Sequence, residues 1–257
     1  MKNKSDISDL DLRILQKQAK SEEEFKSFAA RRAKSEPVAY ILGTREFWSI
    51  PIKVTPDVLI PRPETEHLVE RALAKIPADK VVHILDVGTG SGCIIAALAK
   101  ERPFAQFVGI DTSERALAIA KENLAFVSDR VQLFRTFENS NFEFVSDLGF
   151  RISDFDVVIS NPPYIPTSDL KNLMPDVKNY EPLSALDGGP DGLAIYRQIL
   201  HNAPHSLGRG GWLLLEMGIG QEKELRELLQ TSGFQSIQST PDLAGIPRVI
   251  EGMWLGE

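Results

Sequence analysis

The chain contains one cysteine, Cys93, among its 257 residues, so it can form no internal disulfide. It also has no apolar run that approaches the roughly 18 residues required by a membrane helix. The residues after its first lysines are polar, unlike the apolar core of a secretory signal. These absences favour a cytosolic protein that makes no membrane contact.

Basic residues are outnumbered, with 29 Lys and Arg against 36 Asp and Glu and a formal net charge of -7. This balance argues against broad neutralisation of phosphates, so we expect no stable binding of nucleic acid. The four histidines have no cysteine or carboxylate partners at the spacing of metal ligands, and no metal is expected. The hydrophobic share of 42% and charged share of 25% are ordinary for a globular protein.

The chain divides into three regions by pattern. Residues 1–36 suit short amphipathic helices, with Ser21 as an N-cap and Glu24 three residues later. Residues 37–63 carry β-branched residues broken by prolines, which indicates a β-hairpin or loop-rich connector rather than a helix. Residues 64–257 alternate strands and helices, which predicts an α/β fold with a mostly parallel sheet. The predicted strands are 81–87, 106–110, 131–134, 156–160, 212–217, 235–239 and 248–255, and the predicted helices are 64–75, one ending near 99, 113–125 and 221–231.

A glycine-rich turn follows the first of these strands. Glycines at such a turn permit positive φ and let backbone N–H groups approach a ligand closely. The dehydrogenase fingerprint Gly-x-Gly-x-x-Gly would need glycine at position 93, where this chain has Cys93. The observed Gly-x-Gly-x-Gly after an acidic residue resembles the first motif of S-adenosylmethionine-dependent methyltransferases. The candidate cofactor-binding residues are Gly88, Thr89, Gly90, Ser91 and Gly92.

Asp111 ends the second predicted strand of the series. A carboxylate at this position can accept hydrogen bonds from both hydroxyls of a ribose. The alternative is that it caps the following helix, a role that Thr112 or Ser113 could fill equally well. We favour the ribose interpretation.

The stretch Asn161-Pro162-Pro163-Tyr164 follows a run of apolar and β-branched residues that predicts a buried strand. The asparagine oxygen and a carbonyl of the Pro-Pro segment can accept both N–H bonds of a planar amino group. The tyrosine ring can stack on the flat face of that group. A strand that simply ends in a turn explains the stretch almost as well on its own.

Several further stretches, together with Asn-Pro-Pro-Tyr, make the chain closely resemble the HemK family of peptide chain release factor glutamine methyltransferases. The resemblance runs from about Glu36 to the carboxyl terminus. The supporting stretches are Pro37–Gly43, Arg45–Trp48, Leu59–Glu66, Tyr180–Pro182 with Ala185 and Leu186, Asp191–Leu193 and Asp242–Gly245.

The resemblance implies a Rossmann-like class I methyltransferase fold, with S-adenosylmethionine as cofactor and class I peptide chain release factors as protein substrates. It implies methyl transfer to the side-chain amide of the glutamine in their Gly-Gly-Gln motif. By position, the glycine turn and Asp111 would hold the methyl donor, and Asn161, also near the donor, would hold the glutamine amide. Pro162, Pro163 and Tyr164 would share that substrate site, with Asn161, Pro162 and Tyr164 as catalytic residues.

The chain departs from the family pattern in two places. Only about 36 residues precede Pro37, fewer than in the usual amino-terminal helical domain. The segment after the third strand has an altered order, and Phe137 is a candidate for the adenine contact. Other activities stay open: methylation of a glutamine in another protein such as a ribosomal protein, methylation of an exocyclic amine of RNA, or an inactive binding module.

Overall fold

The computed structural model describes residues 8–136 and 155–256. Its helices are α1 (Asp9–Gln18), α2 (Glu22–Arg32), α3 (Val38–Leu42), α4 (Thr65–Lys75), α5 (Cys93–Glu101), α6 (Glu114–Asn123), α7 (Pro175–Lys178), α8 (Ala194–Ser206) and α9 (Glu222–Thr231). Its strands are β1 (Thr44–Phe47), β2 (Ile50–Lys53), β3 (His83–Val87), β4 (Gln106–Asp111), β5 (Val131–Arg135), β6 (Phe155–Ser160), β7 (Leu207–Glu216), β8 (Gln235–Pro241) and β9 (Pro247–Met253).

Seven strands form one sheet in the order β5-β4-β3-β6-β7-β9-β8. The first five of these neighbours pair in parallel, whereas β9 runs antiparallel to both β7 and β8. Helices connect β3 to β4, β4 to β5 and β6 to β7, so the predicted α/β fold with a mostly parallel sheet is confirmed. The strand order reverses between β3 and β6, and such a switch point opens a crevice at the carboxyl ends of the strands.

Apolar side chains cover both faces of this sheet. On β3, Ile84 packs in the core under α4, α5 and α6, while its neighbour Leu85 packs in the core under α8 and α9. Val157 and Val158 on β6 divide between the two cores in the same way. Because successive residues of a strand point to opposite faces, these continuous apolar runs require helices on both sides.

The amino-terminal region contains the expected short helices. Ser21 caps α2, and its hydroxyl accepts a hydrogen bond from the Glu24 amide at 3.1 Å. This confirms the predicted N-cap. The boundaries 1–36, 37–63 and 64–257 stay predictions.

The connector begins with a helix, so its interpretation as a hairpin or loop without a helix was wrong for Val38–Leu42. This short helix ends at Gly43, which adopts a left-handed φ of 72°. The Tyr40 hydroxyl donates to the Val58 carbonyl at 2.7 Å, and this buried contact outweighs the weak helix preference of β-branched residues. The predicted hairpin follows directly as β1 and β2.

Helix α8 lies in a part of the chain for which the sequence pattern predicts no element. It contains Pro204, which normally ends a helix because proline lacks a backbone N–H. Here the proline lies in the last turn, and the helix ends two residues after it. In the part of the chain that the structure describes, no helix combines the length and the apolar character needed to span a bilayer.

Candidate active site

The glycine-rich turn connects β3 to α5 at the crevice. Gly88 and Gly90 have φ angles of 73° and 54°, in the left-handed region that favours glycine. The Gly88 and Thr89 amides donate to the Ile110 carbonyl on β4 at 2.8 and 2.9 Å. These bonds hold the turn against the neighbouring strand and leave its outer edge open toward the crevice.

Gly92 ends the turn and caps α5 with a φ of 77°. A Cβ atom built on it would lie 2.9 Å from a methyl carbon of Leu124 and 3.3 Å from the Cβ of Ala120. Its glycine is therefore required by close packing between α5 and α6. Its predicted contact with a cofactor stays a prediction.

Asp86 lies buried beneath the turn, and one of its carboxylate oxygens accepts a hydrogen bond from the Thr89 hydroxyl at 2.7 Å. Its other oxygen, Oδ1, has no hydrogen-bond partner among the described residues. Burial raises the pKa of Asp86 to about 7, the nearby Asp111 adds to this, and the Thr89 hydroxyl opposes it. No role was predicted for this residue from the sequence, although it precedes the turn by only two positions.

Asp111 stands at the end of β4 and contacts the turn directly. One of its oxygens accepts from the Gly90 amide at 2.9 Å, and the other accepts from the Ser113 amide at 2.9 Å. The helix cap itself is Ser113, whose hydroxyl accepts from the Ala116 amide. The competing interpretation of Asp111 as the N-cap was therefore wrong, and its carboxylate lies beside the crevice.

Asn161 follows β6 directly and lies in the wall of the crevice. Its side-chain nitrogen donates to the Thr65 hydroxyl at 3.1 Å. The preceding Ser160 hydroxyl donates to the Val87 carbonyl at 2.7 Å, which joins the end of β6 to the end of β3. The asparagine side chain is thus held by a residue at the start of α4, and its oxygen is left as an acceptor.

Tyr164 is held by residues from three later parts of the chain. Its backbone carbonyl accepts from the Gln221 side-chain amide at 3.0 Å. A Cβ atom on Gly188 would lie 2.7 Å from the Tyr164 Cα, and one on Gly192 would collide with the Tyr164 carbonyl oxygen. These glycines are needed because they allow the chain to pass close behind the Asn-Pro-Pro-Tyr segment.

Glu216 is buried at the end of β7, behind the same segment. The Tyr164 hydroxyl donates to its Oε1 at 3.5 Å, and its Oε2 has no hydrogen-bond partner among the described residues. Burial raises the pKa of Glu216 to about 7, against hydrogen bonding from Thr65 and Tyr164. Glu216 was not predicted as a site residue, since a lone acid at the end of a strand belongs to no recognisable motif.

Arg62 also lies in the wall of the crevice, and its guanidinium donates to Glu181 at 2.5 Å. Glu181 is buried and also accepts a weak bond from the Ile60 amide at 3.4 Å. The ion pair fastens the segment before α4 to the loop that follows Asn-Pro-Pro-Tyr.

These groups surround a cavity of about 610 Å³. Its wall contains most of the predicted site residues, namely Gly88, Thr89, Gly90, Ser91, Asp111, Asn161 and Pro163. Gly92, Pro162 and Tyr164 lie beside it without forming its wall, and Phe137 lies outside the described residues. The wall also contains Arg62 and Thr65, which the sequence analysis did not include among the site residues.

Comparisons with known proteins agree with this arrangement. Residues 78–206 match the model of a family described as a methyltransferase domain. The release factor glutamine methyltransferase of Geobacter sulfurreducens is 48% identical over 227 residues, which cover 88% of this chain and 76% of that protein. That of Thermodesulfovibrio yellowstonii is 44% identical over 88% of this chain and 79% of its own length. The chain belongs to the release factor glutamine methyltransferase family.

Two solved structures from other proteins have a fold similar to that of this chain. The hMettl16 catalytic domain, in complex with the MAT2A 3'UTR hairpin 6, superposes with a TM-score of 0.65 at 17% identity. The match covers 90% of this chain and 82% of that one. A methyltransferase from Pyrococcus furiosus gives a TM-score of 0.57 at 18% identity, over 81% of this chain and 90% of that one. At these identities the likeness concerns the fold.

The protein is a methyltransferase that uses S-adenosylmethionine, and the cavity fits such a donor. Its volume lies within the range of small-molecule sites. The open backbone of Gly88 and Gly90, where an added Cβ atom would meet almost nothing, allows a ligand to approach closely. The cavity wall contains both the Asp111 carboxylate, at the end of β4, and the Asn161 amide, just after β6, and these two strands lie on either side of β3.

Proposed function

We propose that this enzyme methylates the side-chain amide nitrogen of the glutamine in the Gly-Gly-Gln motif of class I peptide chain release factors. The observation that carries the proposal is the position of Asn161. Its amide nitrogen is engaged by Thr65, so its oxygen is free to accept an N–H of a planar amide within the cavity. The relatives described above, which are release factor glutamine methyltransferases, support a glutamine in a release factor as the acceptor.

On the donor side, the glycine turn and Asp111 would hold S-adenosylmethionine, which supplies an electrophilic methyl group on a sulfonium sulfur. The Asp111 carboxylate still has lone pairs beyond those used by the Gly90 and Ser113 amides, so it can accept from ribose hydroxyls. Thr89 and Ser91 would contact the donor from the same turn. Phe137 remains a proposed adenine contact.

On the acceptor side, Asn161 would aim the glutamine nitrogen, together with the carbonyl of Pro162. An amide nitrogen is a poor nucleophile because its lone pair is delocalised, and holding it in line with the methyl group supplies much of the rate. The nitrogen lone pair forms the new N–C bond while the C–S bond breaks, and the electrons of the C–S bond stay on sulfur. The Asn161 oxygen stabilises the positive charge that develops on nitrogen, and the amide proton then leaves to water.

Pro163 and Tyr164 would complete the substrate site. Pro163 forms part of the cavity wall, and the rigid Pro-Pro pair keeps its carbonyls in one orientation. The backbone of Tyr164 is held by Gln221 and the glycines behind it, and its hydroxyl bonds Glu216; its ring would stack on the amide. The protein substrate is a release factor, and no stable binding of nucleic acid is proposed.

A mass-spectrometric assay with a purified class I release factor tests this proposal. We expect one added methyl group on the glutamine of the Gly-Gly-Gln motif, and none on a Gly-Gly-Ala variant. Equal labelling of both proteins, or labelling of RNA instead, would overturn it.

A further inference from the structure

Three polar side chains join the end of β7 to the acceptor side of the cavity. Asn161 donates from its amide nitrogen to the Thr65 hydroxyl at 3.1 Å. Thr65 is buried at the first turn of α4, and its hydroxyl lies beside the Glu216 carboxylate, where it opposes the rise in the pKa of that group. Thr65 and Asn161 are 96 positions apart in the sequence, so only the folding of the chain brings them into contact.

The direction of these hydrogen bonds follows from the chemistry of each group. An ionised carboxylate can only accept hydrogen bonds, so beside it the Thr65 hydroxyl must donate its proton to Glu216. The Thr65 oxygen is then available as an acceptor, which matches the Asn161 amide nitrogen rather than its oxygen. The Asn161 oxygen consequently faces away from Thr65.

We infer that Thr65 and Glu216 are positioning residues that set the orientation of the Asn161 amide, so that its oxygen, and not its nitrogen, meets the substrate amide. This inference rests on the proposed function and extends it beyond the Asn-Pro-Pro-Tyr motif. A reversed Asn161 amide would present N–H groups to the N–H groups of the substrate, which repel. Thr65 and Glu216 act through Asn161, without touching the reacting atoms.

The groups around Glu216 make the orientation of the Asn161 amide sensitive to whether Glu216 is protonated. It faces Tyr164 from the acceptor loop, Glu64 beside α4, and Arg248 from β9. Tyr196 of α8 donates to the Glu216 backbone carbonyl at 2.8 Å, and Cys93 of α5 lies within range of its charge. A protonated Glu216 can donate to Thr65, which reverses the direction of the bonds and releases the Asn161 amide to turn.

The first test replaces the hydroxyl of Thr65 without changing the side-chain volume. For Thr65→Val we expect kcat for release-factor methylation to fall about 10- to 100-fold, since a misdirected amide loses both orientation and charge stabilisation. The Kd for S-adenosylmethionine should change less than about 3-fold, which is roughly 0.65 kcal/mol. Thr65→Ser, which keeps the hydroxyl, should recover most of the lost kcat.

Two control variants separate this role from stability. Thr231→Val removes an exposed threonine hydroxyl that bonds only helix carbonyls of α9. Glu251→Gln removes a buried acid on β9 that pairs with Arg71 and Lys75, away from the cavity wall. Each of these two variants should lower the free energy of unfolding and have little effect on kcat.

The pH profile provides a readout that a purely structural role would not move. Because the carboxylate must be ionised, kcat of the wild-type enzyme should rise as pH increases through the pKa of Glu216, about 7. In Glu216→Gln, whose side chain does not titrate, this rise should disappear and kcat should be independent of pH over the same range.

The outcomes distinguish this inference from the proposed function. If the wild-type enzyme does not methylate the release factor, the proposed function fails. If the wild-type enzyme is active while Thr65→Val keeps its kcat, or Glu216→Gln keeps the same rise with pH, the positioning roles are wrong and the proposed function stands.

Discussion

The two sides of the cavity are built in different ways. The donor side consists of a glycine turn of five consecutive residues, Gly88 to Gly92, with Asp111 next to it in space, and its shape is set by backbone φ angles and amide bonds. The acceptor side is built around Asn161 and Tyr164, which are held by the side chains of Thr65, Glu216 and Gln221.

This difference indicates what each side must achieve. Because the cofactor is the same in every turnover, it can be bound by a rigid backbone turn whose shape depends on few side chains. A glutamine presented by a separate protein must be aimed at one atom, and aiming requires side chains whose hydrogen-bond directions are themselves constrained. Damage to the donor side should therefore appear in binding, and damage to the acceptor side should appear in the rate.

The largest effect should come from Asn161→Ala. Removing the group that aims the substrate nitrogen should lower kcat by about 10²- to 10³-fold, similar to the loss of one donor from an oxyanion hole. The Kd for S-adenosylmethionine, measured by calorimetry, should stay within about 3-fold of the wild-type value, roughly 0.65 kcal/mol. Asn172→Ala, at an exposed asparagine, is the matched control. An equal loss of cofactor binding would place Asn161 on the donor side and remove the contrast.

Asp111→Ala should give the opposite pattern. Loss of a carboxylate that accepts from ribose hydroxyls should weaken binding of S-adenosylmethionine about 10- to 100-fold, or roughly 1.4–2.7 kcal/mol. At saturating cofactor, kcat should return to near the wild-type value. Asp129→Ala, at an exposed aspartate, controls for the loss of one negative charge. Unchanged affinity would show that Asp111 only supports the turn.

The donor side could be predicted from the sequence because its information is local. A glycine pattern after an apolar strand identifies a turn with positive φ, and Asp111 lies at the end of the next strand. The acceptor motif was also visible, yet its supporting residues were not. Thr65 and Gln221 are 96 and 57 positions from the groups they bind, and no spacing in the sequence reports such contacts.

Helix α8 shows the same limit in the fold. Its buried residues Tyr196, Ile199, Leu200 and Ala203 recur at helical spacing, so a signal was present. Pro204 conceals it, because a proline predicts the end of a helix unless the surrounding packing is known. By contrast, the parallel strands were predictable because their buried apolar runs are continuous.

Gly92→Ala tests whether the donor side depends on the backbone. The new methyl group would lie 2.9 Å from Leu124, and residue 92 itself has a left-handed φ of 77°. We therefore expect a loss of about 2 kcal/mol in the free energy of unfolding. Gly210→Ala is the matched control, since its φ is 86° and its added Cβ would meet nothing within 4 Å. It should lose only about 1 kcal/mol, the strain of the left-handed conformation. Urea denaturation measures both, and equal losses would show that packing against α6 contributes nothing.

Gln221→Ala should have the smallest effect and the most specific one. Gln221 donates to the carbonyls of Tyr164 and Gly192 at 3.0 and 3.2 Å, so its loss should cost about 1 kcal/mol of stability. Gln230→Ala, exposed in the last turn of α9, should be nearly neutral. Because the lost bonds hold Tyr164, the variant should raise KM for the release factor while leaving the Kd for S-adenosylmethionine unchanged. If the cofactor affinity fell as well, the two sides would be mechanically coupled through the Asn-Pro-Pro-Tyr segment, and the separation between a backbone cradle and an aimed acceptor would not hold.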